Sequence, residues 1–206
     1  MDKIKVLVAD DHAIVRMGLS ALLETEDDIE LVGEADDGEA AVRKALRLKP
    51  DVVVMDLMMP EMDGIAATAA LKERLPGARV LILTTSTVSD DIARALDAGA
   101  QGAITKSSAN ARLLAAIRSV ASGKRVISPE IAELISEDPP LPELTARQSE
   151  ILASITRGLT NADIAKQLGI VPDSVKEHVN AIFAKIGAAN RSEAVAIALR
   201  KHLLKI

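Results

Sequence analysis

The chain has 206 residues, of which 49% are hydrophobic and 27% are charged, and it contains no cysteine. This composition is typical of a globular protein with one large or two small domains, and it excludes disulfides, thiolate metal sites and thiol nucleophiles. The net charge of −5 is unevenly distributed, because residues 143–206 carry nine Lys or Arg against six Asp or Glu. That asymmetry suggests two domains with different partners.

The hydropathy pattern bears on location. The N-terminal apolar stretch is short and runs into acids, which is not the plan of a signal peptide. No stretch is long enough to span a bilayer, so we expect a cytoplasmic protein with no membrane partner.

The chain has no Trp or Tyr, and Phe183 is its one Phe. Stacking platforms for single-stranded nucleic acid are therefore nearly excluded.

Over the first 123 residues, five apolar segments alternate with five amphipathic patterns. The predicted strands are 3–9, 29–35, 52–55, 79–83 and 102–105, and the predicted helices are 14–23, 39–48, 65–75, 90–98 and 108–122. This alternation predicts an α/β fold with a doubly wound, five-stranded parallel sheet. The second strand is more polar than the third, which suits an edge position and the order 2-1-3-4-5. In the first helix, the residues predicted to share the buried face are Ile14, Val15, Leu19, Leu22 and Leu23.

Three carboxylates end two of the predicted strands. Asp10 and Asp11 follow the first strand, and Asp56 follows the third. In the predicted order these strands are neighbours at the switch point of the sheet, so the three side chains should converge on one crevice. Three uncompensated carboxylates would repel one another, and a hard divalent cation such as Mg²⁺ relieves that repulsion.

Two further polar side chains should face this crevice. Thr84 ends the fourth strand and Lys106 ends the fifth. A hydroxyl and an ammonium beside a metal-bound carboxylate suit a phosphoryl group, which the carboxylate would accept as an acyl phosphate. Taken singly, each residue also has a structural interpretation, such as a helix cap at Asp10 or Asp11. Their joint placement at the ends of four strands favours the site.

The C-terminal part is predicted to be a small all-α domain over 143–206, after the α/β unit at 1–123 and a linker at 124–142. The linker holds a short helical pattern at 129–135 and then an extended, Pro-rich acidic piece. The predicted helices run from a capping box at Thr145 to 157, from a cap at 160 or 161 to 168, from 172 to 186, and from 192 to 204. The tight turn at 169–171 indicates a helix-turn-helix.

The predicted helix 172–186 is amphipathic. Its core stripe is Val175, Val179, Ile182, Phe183 and Ile186, and the opposite face holds Asp173, Lys176, Glu177, Asn180 and Ala184. A solvated face is one interpretation, and the short helix and tight turn before it favour DNA reading. Lys176, Glu177 and Asn180 are expected at base edges in the major groove. The residues expected at phosphates are Thr160, Asn161, Ser174, Lys185 and Arg191.

The segments VLVADDH, VVVMDLMMPEMDG, ILTTS and ITK resemble the motif set of response-regulator receiver domains, over residues 3–122. The resemblance implies a flavodoxin-like fold in which Asp56 is the phosphoacceptor. It implies that the Mg²⁺ ligands are the acids Asp10 and Asp11, with Asp56 itself and the backbone carbonyl of Met58.

The same resemblance covers the other end of the crevice. It implies that Thr84 is the switch hydroxyl and that Lys106 contacts the phosphoryl group. One departure is Ala103, which stands where receivers often carry an aromatic switch residue. The usual coupling between the hydroxyl and an aromatic ring is therefore in question, and switching would rely on Thr84 and loop motion.

Residues 142–204 resemble the LuxR-type helix-turn-helix, and the two halves together resemble a NarL/FixJ-type response regulator. The resemblance implies a transcription factor that a histidine kinase phosphorylates with Mg²⁺ and that binds double-stranded DNA. The last predicted helix carries Ala194, Val195, Ala198 and Leu199 on one side, continued by Leu203. Part of this surface is expected to form a two-fold contact, so we expect a homodimer on DNA. An alternative is a DNA-binding protein whose receiver acts without phosphate, which Ala103 keeps open. Another is a Mg²⁺-dependent phosphotransferase, for which the loops look too short; we therefore expect no enzyme.

Overall fold

The structure, a computed structural model, describes residues 3–204. The chain divides after Asp138 into two compact units. Each unit has a hydrophobic core of its own, and each is described here by itself. Among the described residues, no helix combines the length and the apolar character needed to cross a membrane.

The described part of the first unit is a six-stranded parallel sheet with helices on both faces. The strands are β1 (Ile4–Ala9), β2 (Ile29–Ala35), β3 (Val52–Met55), β4 (Arg79–Thr84), β5 (Gly102–Thr105) and β6 (Val126–Ile127). The helices are α1 (Ala13–Glu24), α2 (Gly38–Leu48), α3 (Gly64–Arg74), α4 (Ser89–Asp97), α5 (Asn110–Ala121) and α6 (Pro129–Glu137). The order is β2-β1-β3-β4-β5-β6, so the predicted doubly wound order is confirmed, with β2 at an edge.

The central strand shows why the sheet is covered on both sides. All four residues of β3 are buried, and successive side chains of a strand point to opposite faces. Val53 and Met55 pack with the apolar residues of α2, α3, α4 and α6. Val52 and Val54 pack with those of α1 and α5. The unbroken apolar run at 52–55 is therefore a consequence of burial on two faces.

The sheet has one more strand than the sequence predicted. Ala103 of β5 pairs with Ile127 of β6, and Gly102 pairs with Val126. Ser128 then caps α6, and Ile131 of that helix is 1% exposed within the core of the sheet. Residues 126–137, predicted as linker, thus belong to the first unit. A strand of two residues has no detectable periodicity, so its partner β5 is what defines it.

The prediction for Ile14 was wrong. Its side chain is 85% exposed, whereas Leu19 and Leu23 of the same helix are buried. Val15 lies four residues before Leu19 and packs against the same core. Ile14 precedes Val15 by one residue, which turns it about 100° around the helix axis and out of that stripe.

The second unit is a four-helix arrangement over its described residues. Its helices are α7 (Ala146–Thr156), α8 (Asn161–Leu168), α9 (Pro172–Ile186) and α10 (Arg191–Arg200). Thr145 and Gln148 form the predicted capping box at the start of α7. Gly169 adopts a left-handed conformation with φ of 65° and ends α8, which allows the tight turn into α9. The last helix ends at Arg200, four residues earlier than predicted.

Candidate functional site

The carboxyl ends of β1, β3 and β5 meet at one point. The backbone N–H of Asp56 donates to the carbonyl of Ala9 at 2.8 Å, so Asp56 and Asp10 leave the sheet side by side. Lys106, which follows β5, places its Nζ 2.6 Å from Oδ2 of Asp10 and 2.7 Å from Oδ2 of Asp56. The two carboxylates are 1% and 4% exposed. The structure therefore brings together three of the predicted site residues in a buried ion-pair cluster.

The segment that follows Asp56 is held by a close backbone approach. A Cβ at Gly64 would lie 2.0 Å from the carbonyl oxygen of Asp56, so no larger residue fits without moving one of the two chains. Gly64 N donates to the carbonyl of Leu57 at 2.9 Å. Asp63 caps α3 by accepting from Ala66 N at 2.7 Å. These contacts set the path of the chain on which Asp56 lies.

Burial and charge act in opposite directions on the two partners of this cluster. Burial raises the pKa of Asp56, which outweighs the opposing effect of the Lys106 ammonium; the Asp10 carboxylate adds to the increase. Burial lowers the pKa of Lys106, but the hydrogen bonds to Asp10 and Asp56 outweigh it, so that the pKa is raised overall. Lys106 therefore stays protonated, and one ammonium faces two buried carboxylates.

The donor atoms of this cluster fit a hard divalent cation. Ligand atoms of Asp10, Asp11, His12 and Asp56 all lie within 4.8 Å of one another. Three carboxylates against one ammonium leave an excess of negative charge, which oxygen-seeking cations such as Mg²⁺ offset. Asp11, whose side chain is 32% exposed, lies 2.7 Å from Nδ1 of His12. Sequence reasoning did not single out His12, although its position directly after the two acids was a signal.

Thr84 and Ala103 border the cluster on β4 and β5. The Thr84 hydroxyl is fully buried and accepts from the N–H of Ser86 at 2.9 Å. The backbone carbonyl of Thr84 accepts from the N–H of Lys106 at 2.8 Å, so a backbone hydrogen bond joins the two residues. Ala103 is fully buried and pairs with Ile82 and Ile127 on the adjacent strands. Met58 lies two residues beyond Asp56 with its side chain 54% exposed.

The candidate DNA-contacting residues of the second unit fall into two groups. Lys176, Glu177 and Asn180 are exposed together on α9, on the side opposite its buried stripe, and Ser174 is half-buried on the first turn of this helix. Asn161 begins α8, also half-buried. The sequence did not single out Val171, which stands at the N-cap position of α9 without a side-chain capping bond among the described residues and is 63% exposed.

The remaining candidates have structural contacts as well. The Thr160 hydroxyl caps α8 by accepting from Asp163 N at 3.2 Å. Nη2 of Arg191 donates to the carbonyl of Leu159, and Nζ of Lys185 lies 3.3 Å from Oε1 of Gln148. The contact of Arg191 ties the start of α10 to the loop before α8, which sequence spacing could not show.

Comparison with known proteins shows what family carries this arrangement. Residues 6–118 match the response regulator receiver domain, and residues 142–198 match the bacterial regulatory proteins of the luxR family. The chain belongs to the LuxR-type response regulators. It is a DNA-binding response regulator of a two-component system, with a receiver in its first unit and the luxR domain in its second.

Three relatives of this response regulator cover nearly its full length. The response regulator protein VraR of Staphylococcus aureus is 40% identical over 213 residues, which cover 98% of this chain and 99% of VraR. The crystal structure of ChrA, from a heme-sensing two-component system, has a TM-score of 0.60 at 38% identity, covering 99% and 100% of the two chains. The structure of an RcsB–DNA complex has a TM-score of 0.70 at 25% identity, covering 97% and 99%.

Proposed function

We propose that this response regulator is switched by phosphorylation of Asp56. The observation that carries the proposal is the contact of one lysine, Lys106, with two buried carboxylates at the ends of neighbouring strands. Asp56 is the nucleophile, and Lys106 faces the oxygens of the incoming phosphoryl group. Thr84, buried at the end of β4, supplies the hydroxyl that follows the phosphorylation state.

The phosphoryl donor is a histidine kinase partner. An Oδ atom of Asp56 forms a bond to phosphorus, the bond between phosphorus and the donor imidazole nitrogen breaks, and that nitrogen takes up a proton. Asp10, Asp11 and Asp56, with the carbonyl of Met58, would hold Mg²⁺, which when bound supplies positive charge to the phosphoryl oxygens. Lys106 adds to that charge, and its two carboxylate contacts hold it in place for this role.

The phosphoacceptor is tested with a small-molecule phosphodonor and intact mass measurement. Wild type should gain one phosphoryl group in the presence of Mg²⁺ and none after chelation. Asp56→Asn should gain none, because the amide nitrogen is not a nucleophile of this kind. Asp36→Asn is the matched control, since Asp36 is exposed at the end of β2 and should label as wild type does. Labelling of Asp56→Asn at the wild-type level would refute the assignment.

The same sample separates the alternatives. Transfer of the phosphoryl group from Asp56 to a second small molecule would indicate a phosphotransferase, whereas a switch loses it only to water. If wild type before labelling, wild type after labelling and Asp56→Asn bind DNA equally well, the receiver acts without phosphate. Ala103 is the observation that makes this second outcome worth testing, because the small side chain leaves β5 without the aromatic ring common in receivers.

In the second unit, α9 is the helix that enters the major groove. Its exposed Lys176, Glu177 and Asn180 are spaced to meet base edges, and these side chains match guanine, cytosine and adenine in hydrogen-bonding pattern. Phosphates are contacted by Ser174, Lys185 and Arg191 and by the start of α8 at Thr160 and Asn161, which fixes the register on the duplex. The protein binds DNA as a homodimer, and α10 supplies part of the contact.

A further inference from the structure

Arg16 connects α1 to the acidic turn at the end of β1. Its Nη1 donates to the backbone carbonyl of Asp10 at 2.6 Å, and its side chain is 18% exposed. His12 is the N-cap of α1 but forms no side-chain capping bond among the described residues. Arg16 therefore fixes a carbonyl of this turn, which a capping side chain, as an acceptor of backbone N–H groups, would not do.

The guanidinium of Arg16 is itself held in place. Its Nε lies 3.6 Å from Oε2 of Glu34, a residue of β2. Oγ of Ser20 lies 2.7 Å from Oε1 of the same glutamate and 2.9 Å from the carbonyl of Arg16. Glu34 pairs with Val8 in the parallel ladder of β1 and β2. Ser20 of α1 thus holds the glutamate that pairs with Arg16, and the guanidinium lies between Glu34 of β2 and the Asp10 carbonyl.

The bond from Arg16 bears on Asp11 because the peptide unit is planar. The carbonyl of Asp10 belongs to the same rigid plane as the nitrogen and Cα of Asp11, so fixing the oxygen restrains the position of the Cα from which the Asp11 side chain departs. On either side of this plane, Asp10 N donates to the carbonyl of Ala35 at 3.1 Å, and His12 N donates to Oδ1 of Asp10 at 2.9 Å. The Asp11 carboxylate, in contrast, is half-exposed and contacts His12.

We propose that Arg16 is a positioning residue for the divalent cation: it orients Asp11 through the Asp10 carbonyl and thereby raises cation affinity. This inference rests on the proposed function, because it concerns the same acidic pocket. Arg16 does not touch the cation or the phosphoryl group. Its effect is that the Asp11 carboxylate is already directed into the pocket, so that less conformational freedom is lost when the cation binds.

Two other roles would leave different traces. If Arg16 only stabilised α1, its loss would lower the melting temperature without a specific change in cation affinity. If its charge dominated, its removal would tighten cation binding, because a guanidinium repels a divalent cation in the same pocket. The positioning role instead predicts weaker binding with an unchanged maximal rate of phosphorylation.

The test uses the full chain with three substitutions. Arg16→Met keeps the aliphatic stem and removes the donors, and Arg16→Lys keeps one donor and the charge. Arg43→Gln is the control, since Arg43 is exposed on α2 and pairs with Glu39 at 3.0 Å. Mn²⁺ binding is followed by the electron paramagnetic resonance signal of the free ion, which needs no phosphorylation. Labelling by a phosphodonor is followed in parallel as a function of Mg²⁺ concentration.

Arg16→Met should weaken Mn²⁺ binding by about tenfold, the usual effect of removing a group that orients a metal ligand. The half-saturating Mg²⁺ concentration for labelling should rise by the same factor, with the rate at saturation within about twofold of wild type. Arg16→Lys should recover most of the loss, and Arg43→Gln should match wild type. An Mn²⁺ affinity of Arg16→Met equal to or tighter than wild type would overturn the proposal.

A loss of affinity that Arg16→Lys shares in full, together with a lowered melting temperature, would also overturn it in favour of a structural role. The outcome is separable from that of the proposed function. If wild type binds Mn²⁺ but accepts no phosphoryl group, the phosphoacceptor assignment fails, while the order of Mn²⁺ affinities among the variants still decides the role of Arg16.

Discussion

At the scale of single residues, small changes have large expected effects where two backbones touch. Gly64 is the clearest case, because its missing side chain leaves room for the carbonyl of Asp56. Gly18 is the contrast within the same unit: a Cβ there would meet no atom within 4 Å. Both glycines lie in helices. They therefore differ mainly in the atoms that surround them and less in their backbone conformation.

Gly64→Ala should destabilise the first unit by about 1–3 kcal/mol, the usual cost of forcing extra atoms into a packed site. It should also slow labelling of Asp56, because the chain carrying the nucleophile must shift. Gly18→Ala should stabilise by about 0.5–1 kcal/mol, since alanine loses less entropy in a helix. Denaturant unfolding followed by circular dichroism measures both. Equal stability of Gly64→Ala and wild type would contradict the predicted clash.

Base reading by α9 is a prediction at the same scale. Asn180→Ala should relax the preference at one base pair and cost about 1–3 kcal/mol on the preferred site. Lys185→Ala should weaken binding to all sequences alike and reduce the salt slope by about one, as expected for a phosphate contact. Binding-site selection at two salt concentrations measures both variants.

Arg191→Ala belongs with Lys185→Ala in that experiment, and its melting temperature should be measured as well, because Arg191 also donates to the carbonyl of Leu159. If Asn180→Ala and Lys185→Ala gave the same uniform loss with base preferences intact, the placement of α9 in the groove would be wrong.

At the scale of elements, the sheet unit extends further along the chain than its motifs do. β6 pairs with β5, and α6 packs Ile131 into the core beneath it. The start of α6 has two residues that favour helix initiation, Ser128 as its N-cap and Pro129 in its first turn. β6 thus covers the free edge of β5. Ala103 lies in β5, and Lys106 follows the end of this strand.

Ile131→Ala should therefore destabilise the first unit by about 2–5 kcal/mol, the range for deleting a buried isoleucine side chain down to alanine. Glu133→Ala on the same helix is the control, since Glu133 is exposed and such substitutions usually change stability by less than about 0.5 kcal/mol. Thermal unfolding of the full chain measures both. A near-neutral Ile131→Ala would mean that α6 contributes little and that residues 126–137 behave as linker.

At the scale of the whole molecule, the proposed dimer on DNA depends on which surface of α10 is exposed. Ala194 and Ala198 of this helix are buried in the second unit, whereas Leu199 is 52% exposed. An exposed leucine is common on protein surfaces by itself. In a DNA-binding unit of this size, it is also a surface that a second copy can cover by a two-fold contact.

Leu199→Asp should weaken binding to DNA with two half-sites about 10 bp apart. The reason is that forming the dimer would then require burial of a charged carboxylate in place of an apolar side chain. Binding to a single half-site should be unchanged, which serves as the internal control for folding and for groove contacts. Gel-shift titrations with the two duplexes measure the difference. Equal affinities of wild type and variant for the paired site would remove Leu199 from the dimer contact.

The sequence by itself determined the doubly wound order, the four helices of the second unit and the convergence of Asp10, Asp56 and Lys106. These follow from local signals: apolar runs of period two or 3.6, caps, and polar residues directly after strands. Parallel strands joined by short crossovers leave few topologies open, so residues at strand ends meet whatever the details of packing.

Only the tertiary structure decided the sixth strand, the exposure of Ile14 and the contact of Arg16 with the Asp10 carbonyl. β6 is defined by its partner β5 and not by any period of its own. Ile14 and Val15 look alike in sequence, and the rotation of α1 on the sheet separates them. Arg16 is one cation among 25 Lys and Arg, and its role depends on where β2 brings Glu34. Each depends on pairing between distant segments, which no local pattern carries.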